Sequence, residues 1–194
     1  RPAVEAFFMA RVEPIVDAVV SLTGFSLVGG PAYNDTDAAQ EMLEALDVPY
    51  LAVQGLEFQS LQDWESSSMG LMPVEATMMV AIPELDGATG SMVFGGRSEL
   101  SAGEKFDMKP APERIDRLAD RVARLIALRY TPIAERKVAI VLFNFPPNSG
   151  AAGTAAHLSV FESLFNTLSA MRDEGYKVDL PDSHGELRDA ILKG

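Results

Sequence analysis

The chain has 194 residues, enough to bury a core without disulfides or metal. Sixteen Lys and Arg stand against 28 Asp and Glu, for a formal charge of −12, which excludes a general nucleic-acid binder, since that would need cationic surface to displace phosphate counterions. The lack of cysteine removes disulfide scaffolds, thiolate zinc sites, iron–sulfur ligation and cysteine nucleophiles, so any metal must be held by oxygen or histidine.

In chain order, residues 2–11 read as a helix. After Pro14 the β-branched run 15–22 reads as a buried strand closed by Gly24. A loop punctuated by Gly29, Gly30 and Pro31 leads to Asp35, which can cap a helix. Its apolar residues Ala39, Met42, Leu43 and Leu46 share one face. Residues 48–53 form the next strand, giving a β-α-β unit with parallel strands. Trp64 falls on a short helix. Pro73 opens a helix that runs to about Val80 and is stopped by Pro83. The segment 83–87 is a loop, 92–94 a short strand, and Gly95-Gly96 a turn before a polar stretch to Pro112.

A long helix covers 113–129, with Ile115, Leu118, Val122, Leu125 and Ile126 on one face and Arg114, Arg117, Arg121 and Arg124 on another. Residues 137–143 (KVAIVLF) form the clearest buried strand, followed by the loop NFPPNSGAAG and a helix from Thr154 to about Glu174 that stops at Gly175. Residues 176–178 form a further strand and 185–193 a further helix. The expected fold is α/β: two Rossmann-like or flavodoxin-like parallel β-α units joined by a less regular middle segment and a long helix. The divisions are 1–109, a connecting helix 110–134, and 135–194 as the start of a second unit. No apolar run reaches the roughly 18 residues of a bilayer span. The chain opens on Arg with no signal pattern and closes inside a helical pattern, so it is expected to be a piece of a longer protein.

In parallel sheets ligands gather where strand ends meet loops and helix N-termini. The loops after residues 22 and 143 have that position, but neither carries GxxxxGK[ST] or GxGxxG, and Thr154 reads as a helix cap. Glu84 and Asp86 lie two apart in a loop fixed by Pro83 and Gly87. Carboxylates so held can accept a proton or meet a hard cation such as Mg²⁺. The same pattern is also plain turn chemistry, and spacing alone favours that reading. His157 and His184 make no metal-ligand spacing, the arginine stripe reads as a solvated face, and the nine methionines read as core filler.

The strings LTGFSLVGGPA (22–32), LDVPYLAVQGLEFQSLQDW (46–64), GLMPVEATMMVAIPELDG (70–87), VFGGR (93–97) and RKVAIVLFNFPPNSGAAGTAAHLSVFESLFNTL (136–168) resemble the large porphyrin-binding subunit of magnesium chelatases. PELDG is shared with the cobaltochelatase large subunit and does not choose the metal; FPPNSGAAGTAAHLSVFESLF is similar to the magnesium branch. The resemblance implies ATP-dependent insertion of Mg²⁺, as substrate, into protoporphyrin IX on the way to chlorophyll and bacteriochlorophyll. ATP is then hydrolysed by separate AAA+ chelatase subunits, and the rest of the same large subunit is a further partner. The setting it implies is cytoplasmic, with a peripheral place at the photosynthetic membrane left open.

Carried over position by position, Glu84 is the proton acceptor or transient Mg²⁺ contact. Asp86 is its turn partner in the substrate-binding set, and Arg97 a propionate contact. The family pattern carries Tyr where this chain has His157, which is therefore not assigned as a ligand. A competing reading is a docking or tetrapyrrole-carrier module without chemistry of its own, serving the AAA+ subunits or the next pathway enzyme. Either way this piece alone is expected to be inactive.

Overall fold

A computed structural model describes residues 2–11, 13–30, 33–98, 107–144, 152–153 and 158–193. Backbone contacts group the chain into two units, Arg1–Ala127 and Leu128–Gly194.

The first unit begins with α1 (Pro2–Phe8) and a hairpin of β1 (Met9–Ala10) and β2 (Glu13–Pro14). The helix expected over 2–11 thus ends three residues early. Arg11 takes a φ of 62° in the tight connection, as two-residue hairpin turns require. β3 (Val19–Ser21) is the paired part of the run 15–22. α2 (Thr36–Leu46) forms as expected, with the Asp35 carboxylate accepting from the Ala38 amide at 3.1 Å and Asp47 closing it in a left-handed conformation.

β4 (Tyr50–Ser60) is the axis of the unit. It pairs in parallel with β3 on one side and with β5 (Met92–Arg97) on the other, and β5 pairs antiparallel with β6 (Met108–Pro110). Residues Tyr50, Leu51, Ala52, Val53, Gln54 and Leu56 are all buried, as befits a central strand covered on both faces. Tyr50 and Ala52 pack with Ala88, Val19, Leu27 and Leu43.

Two expectations change here. The strand at 48–53 runs on to Ser60, with register shifts at Gln54/Gly55 and Leu56/Ser60. Gly95-Gly96 is not a turn but the middle of β5, because its neighbours approach too closely for side chains. A Cβ on Gly95 would lie 2.5 Å from the Lys109 carbonyl oxygen, and one on Gly96 would lie 2.7 Å from the Leu56 Cβ.

After α3 (Leu61–Ser66), the crossover from β4 to β5 is a single helical rod: α4 (Pro73–Glu75), a π-helical stretch Ala76–Ala81, and α5 (Ile82–Leu85). Pro83 does not stop it. The Ile82 amide bonds back five residues to the Thr77 carbonyl, so the ring falls at the start of α5, where a missing N–H costs little. α6 (Pro112–Tyr130) forms as expected. Two residues of its arginine stripe also bond to backbone: Arg114, partly buried, donates to the Val93 carbonyl at 3.4 Å and lies over the Trp64 ring at 5.5 Å, and Arg121, exposed as expected, donates to the Gly90 carbonyl at 2.9 Å.

In the second unit α7 (Val160–Asp173) and α8 (His184–Lys193) pack together, burying Leu164 and Leu187. The strands expected at 137–143 and 176–178 are not formed: both segments are irregular, and neither joins a strand ladder among the described residues, the nearest pairing being the Gly153 amide on the Phe143 carbonyl beside the isolated bridge Asn144–Ala152. Val141 is 92% exposed. Thr154 and His157 lie outside the described residues. Among the described residues no helix is long and apolar enough to cross a membrane.

Gly96→Ala should lower the stability of the chain by about 1–3 kcal/mol, because the added methyl must push Leu56 out of the sheet. Urea unfolding followed by the fluorescence of Trp64, the only tryptophan, measures it. An unchanged midpoint would mean that β4 and β5 part freely.

Candidate functional site

PELDG is a helix end of a specific kind. Gly87, at φ 105°, follows the last turn of α5. Its amide donates to the Glu84 carbonyl at 3.1 Å, and the Ala88 amide donates to the Pro83 carbonyl at 3.0 Å. This is the double closure of a Schellman cap, and it fixes which side chains of the motif turn inward. Pro83 and Asp86 are fully buried, whereas Glu84 is exposed and Leu85 is 60% exposed. A Cβ on Gly87 would meet the Leu43 Cδ1 at 3.3 Å, so α2 presses on the cap from outside.

The Asp86 carboxyl Oδ2 accepts from the Leu27 amide at 2.7 Å, and Oδ1 has no hydrogen-bond partner. The loop it grips is ordered by the Ser26 hydroxyl, which donates to the Asn34 Oδ1 at 2.8 Å. One residue further on, Val28 lines a cavity of about 680 Å³ with Met9, Arg11, Glu41 and Met42 among its other walls. Tyr50, at the start of β4, feels the same carboxyl. Burial raises its phenol pKa, a hydrogen bond with Ser21 pulls it down, and the charge of Asp86 pushes it up again.

Arg97 stands elsewhere. It ends β5 beside Ser60, and its guanidinium donates to the Glu57 carbonyl at 2.7 Å. Tyr50 and Glu57 are seven residues apart in β4, roughly 23 Å at about 3.3 Å per residue. The fold therefore brings Glu84 and Asp86 together and holds Arg97 at the other end of the strand.

Near that other end lies a group that sequence reasoning passed over. Glu75 is fully buried; its Oε2 accepts from the Met72 amide at 3.0 Å and from the Gln59 side chain, while Oε1 lacks a partner. Its position three residues after Met72, at the start of a helix opened by Pro73, was only half of a capping signal, since Met72 is not one of the Ser, Thr, Asp or Asn caps that complete it. Gln54, 1% exposed with neither side-chain polar atom partnered, had no such signal.

The sequence profile of the CobN/Magnesium Chelatase family matches residues 1–194. The chain belongs to that family. The magnesium-chelatase H subunit of Cereibacter sphaeroides is 54% identical over all of this chain and 17% of its own length. The chloroplastic magnesium-chelatase subunit ChlH of Oryza sativa subsp. indica is 41% identical over 93% of this chain and 13% of its own. The aerobic cobaltochelatase subunit CobN of Pseudomonas aeruginosa is 36% identical over 98% of this chain and 16% of its own. The chain thus spans about a sixth of the length of these chelatase subunits. Within PELDG, the geometry separates one carboxylate that faces solvent from one that is built into the fold. Among the described residues no three His, Asp or Glu are grouped to hold a resident metal.

Asp86→Ala should cost about 1–3 kcal/mol by leaving the Leu27 amide unpaired, while Asp86→Asn, which keeps an acceptor, should cost less; urea midpoints for the two variants give the comparison. Tyr50 supplies a pH test. Because its folded pKa is raised above 10.0, the stability due to its neutral form is complete below pH 10 and is lost as pH rises through the raised value. Titration of phenolate absorbance should show one late-ionising tyrosine, absent in Tyr50→Phe, with alkaline unfolding setting in at higher pH in that variant.

Proposed function

We propose that this chain is part of the porphyrin-binding subunit of a magnesium chelatase, which inserts Mg²⁺ into protoporphyrin IX for chlorophyll or bacteriochlorophyll synthesis. ATP would be hydrolysed by separate AAA+ subunits, and the working place is the cytoplasm. The observation that carries this reading is the 54% identity over the whole chain with a magnesium-chelatase H subunit, against 36% with the cobaltochelatase relative.

Metal insertion needs removal of two pyrrole protons, stripping of water from Mg²⁺, and a grip on the propionates. Glu84, exposed on a turn whose backbone the Schellman cap holds still, is suited to take a proton from an inner nitrogen or to replace a water on Mg²⁺ in passing. Asp86 serves by holding that turn against the loop at Leu27. The apolar cavity beside Val28 gives a flat hydrophobic ring a surface to lie on. Arg97 is kept as a propionate contact, standing by Glu57 at the end of β4 remote from Tyr50 and Asp86. A second reading, a docking face for the AAA+ subunits, is favoured by the exposure of Leu85 beside Glu84.

Glu84→Gln in the complete subunit, assayed with its partner subunits, should lower chelation roughly 10²- to 10⁴-fold, the usual scale for a lost proton acceptor, and leave porphyrin affinity unchanged. Full turnover with normal affinity would remove Glu84 from the chemistry. If Leu85→Asp then abolished association with the motor subunits, the docking reading would replace it.

A further inference from the structure

The segment 137–143 is the most strongly strand-forming in the chain, and among the described residues its stretch 138–142 joins no sheet. Its residues are apolar in succession rather than in alternation, the pattern of a strand buried on both faces. On one side Val138 and Ile140 line a hollow of about 270 Å³ with Leu168 and Met171 of α7 and with Tyr176 and Val178. On the other side Val141 is 92% and Phe143 66% exposed. Among the described residues none exchanges a backbone hydrogen bond with residues 138–142. A helix thus flanks one face of the segment, where Val138 and Ile140 remain 55% and 45% exposed, and among the described residues the backbone edges of 138–142 are unpaired up to Phe143, which accepts from the Gly153 amide; an unpaired apolar strand edge is a template for another strand.

We propose that residues 138–142 form an inner strand of a sheet whose neighbouring strand is supplied by the part of the large subunit outside these 194 residues. The proposal rests on the reading of this chain as part of a large chelatase subunit: the match covers only 17% of the Cereibacter sphaeroides relative, which leaves ample chain in such a subunit to complete the ladder. A partner within one polypeptide also avoids the entropy of association that a separate molecule would lose. The chemistry required of it is an extended, β-branched and apolar stretch: backbone N–H and C=O groups to pair along 138–142, and side chains to cover Val141. Unlike the chelatase reading, this proposal does not depend on the role of Glu84.

The test is hydrogen exchange followed by mass spectrometry on the complete subunit at a concentration where light scattering shows a monomer. The amides of 139–142 should exchange at least roughly 1,000-fold more slowly than unstructured peptide, as for paired core strands. Fast exchange in the monomer would overturn the proposal. Protection that appears only on dimerisation would overturn it too, by making a second copy the partner. A photo-reactive residue placed at Val141 in the same protein locates the occupant. Crosslinks to peptides outside the 194 residues support the proposal, and crosslinks confined to peptides within them reject it. Both measurements can be read without chelatase activity.

Discussion

The hydrogen bond from the Leu27 amide to the Asp86 carboxyl joins positions 59 residues apart and ties together three parts of the first unit. The crossover helix ends at Asp86, the loop after β3 is gripped by it, and Tyr50 at the head of β4 lies within its field. A buried carboxyl is tolerated only where donors meet it, so this contact constrains the whole corner. If the carboxyl were withdrawn, the Schellman cap would still turn the chain and Ala88 would still pack on β4, but the loop at Leu27 would lose its tie to the cap. The exposed Glu84 owes its steadiness to a neighbour that never meets solvent.

Around that corner the sheet is organised by β4. Its run of buried residues pairs on both edges and is crossed by helices from both directions of chain, as parallel strands demand. The close approach of β4, β5 and β6 at Gly95 and Gly96 puts backbone where side chains would otherwise stand. Among the described residues, the buried or nearly buried polar groups with an atom lacking a partner, Gln54, Glu75, Asp86 and Ser91, all belong to β4, to its crossover rod or to the connection that follows.

Much of this was readable from residues alone. α2 and α6 followed from the spacing of their apolar positions and from the Asp35 cap, because helix signals are local. The turn at Asp86-Gly87 was legible from Gly87, but the loop expected over 83–87 was not formed: Pro83, Glu84 and Leu85 belong to α5. What escaped was decided by distant partners. Gly-Gly looks the same in a hairpin and at a crowded strand crossing, and the difference lies in Leu56 and Lys109. Pro83 looked like a stop because the five-residue hydrogen bonding before it has no sequence signature. The strand propensity at 137–143 was real, but propensity does not form a ladder without a second strand. Of the candidate site, the nearness of Glu84 and Asp86 was a matter of adjacency, whereas the burial of one and the exposure of the other came from a loop some sixty positions upstream.

The π-helical stretch Ala76–Ala81 also sets the phase of everything downstream. Each residue of an α-helix advances the side-chain direction by about 100°, and the wide turn absorbs one residue more than an α-helical rod of the same rise. Glu75 and Pro83 can therefore both lie inward on a rod that also delivers Glu84 to the outside. Were that stretch to wind as plain α-helix without losing a residue, the motif would be preserved letter for letter and yet the glutamate would turn by about 100°. The spelling of PELDG and the orientation of its acid are thus separable properties, governed by different turns of the same helix.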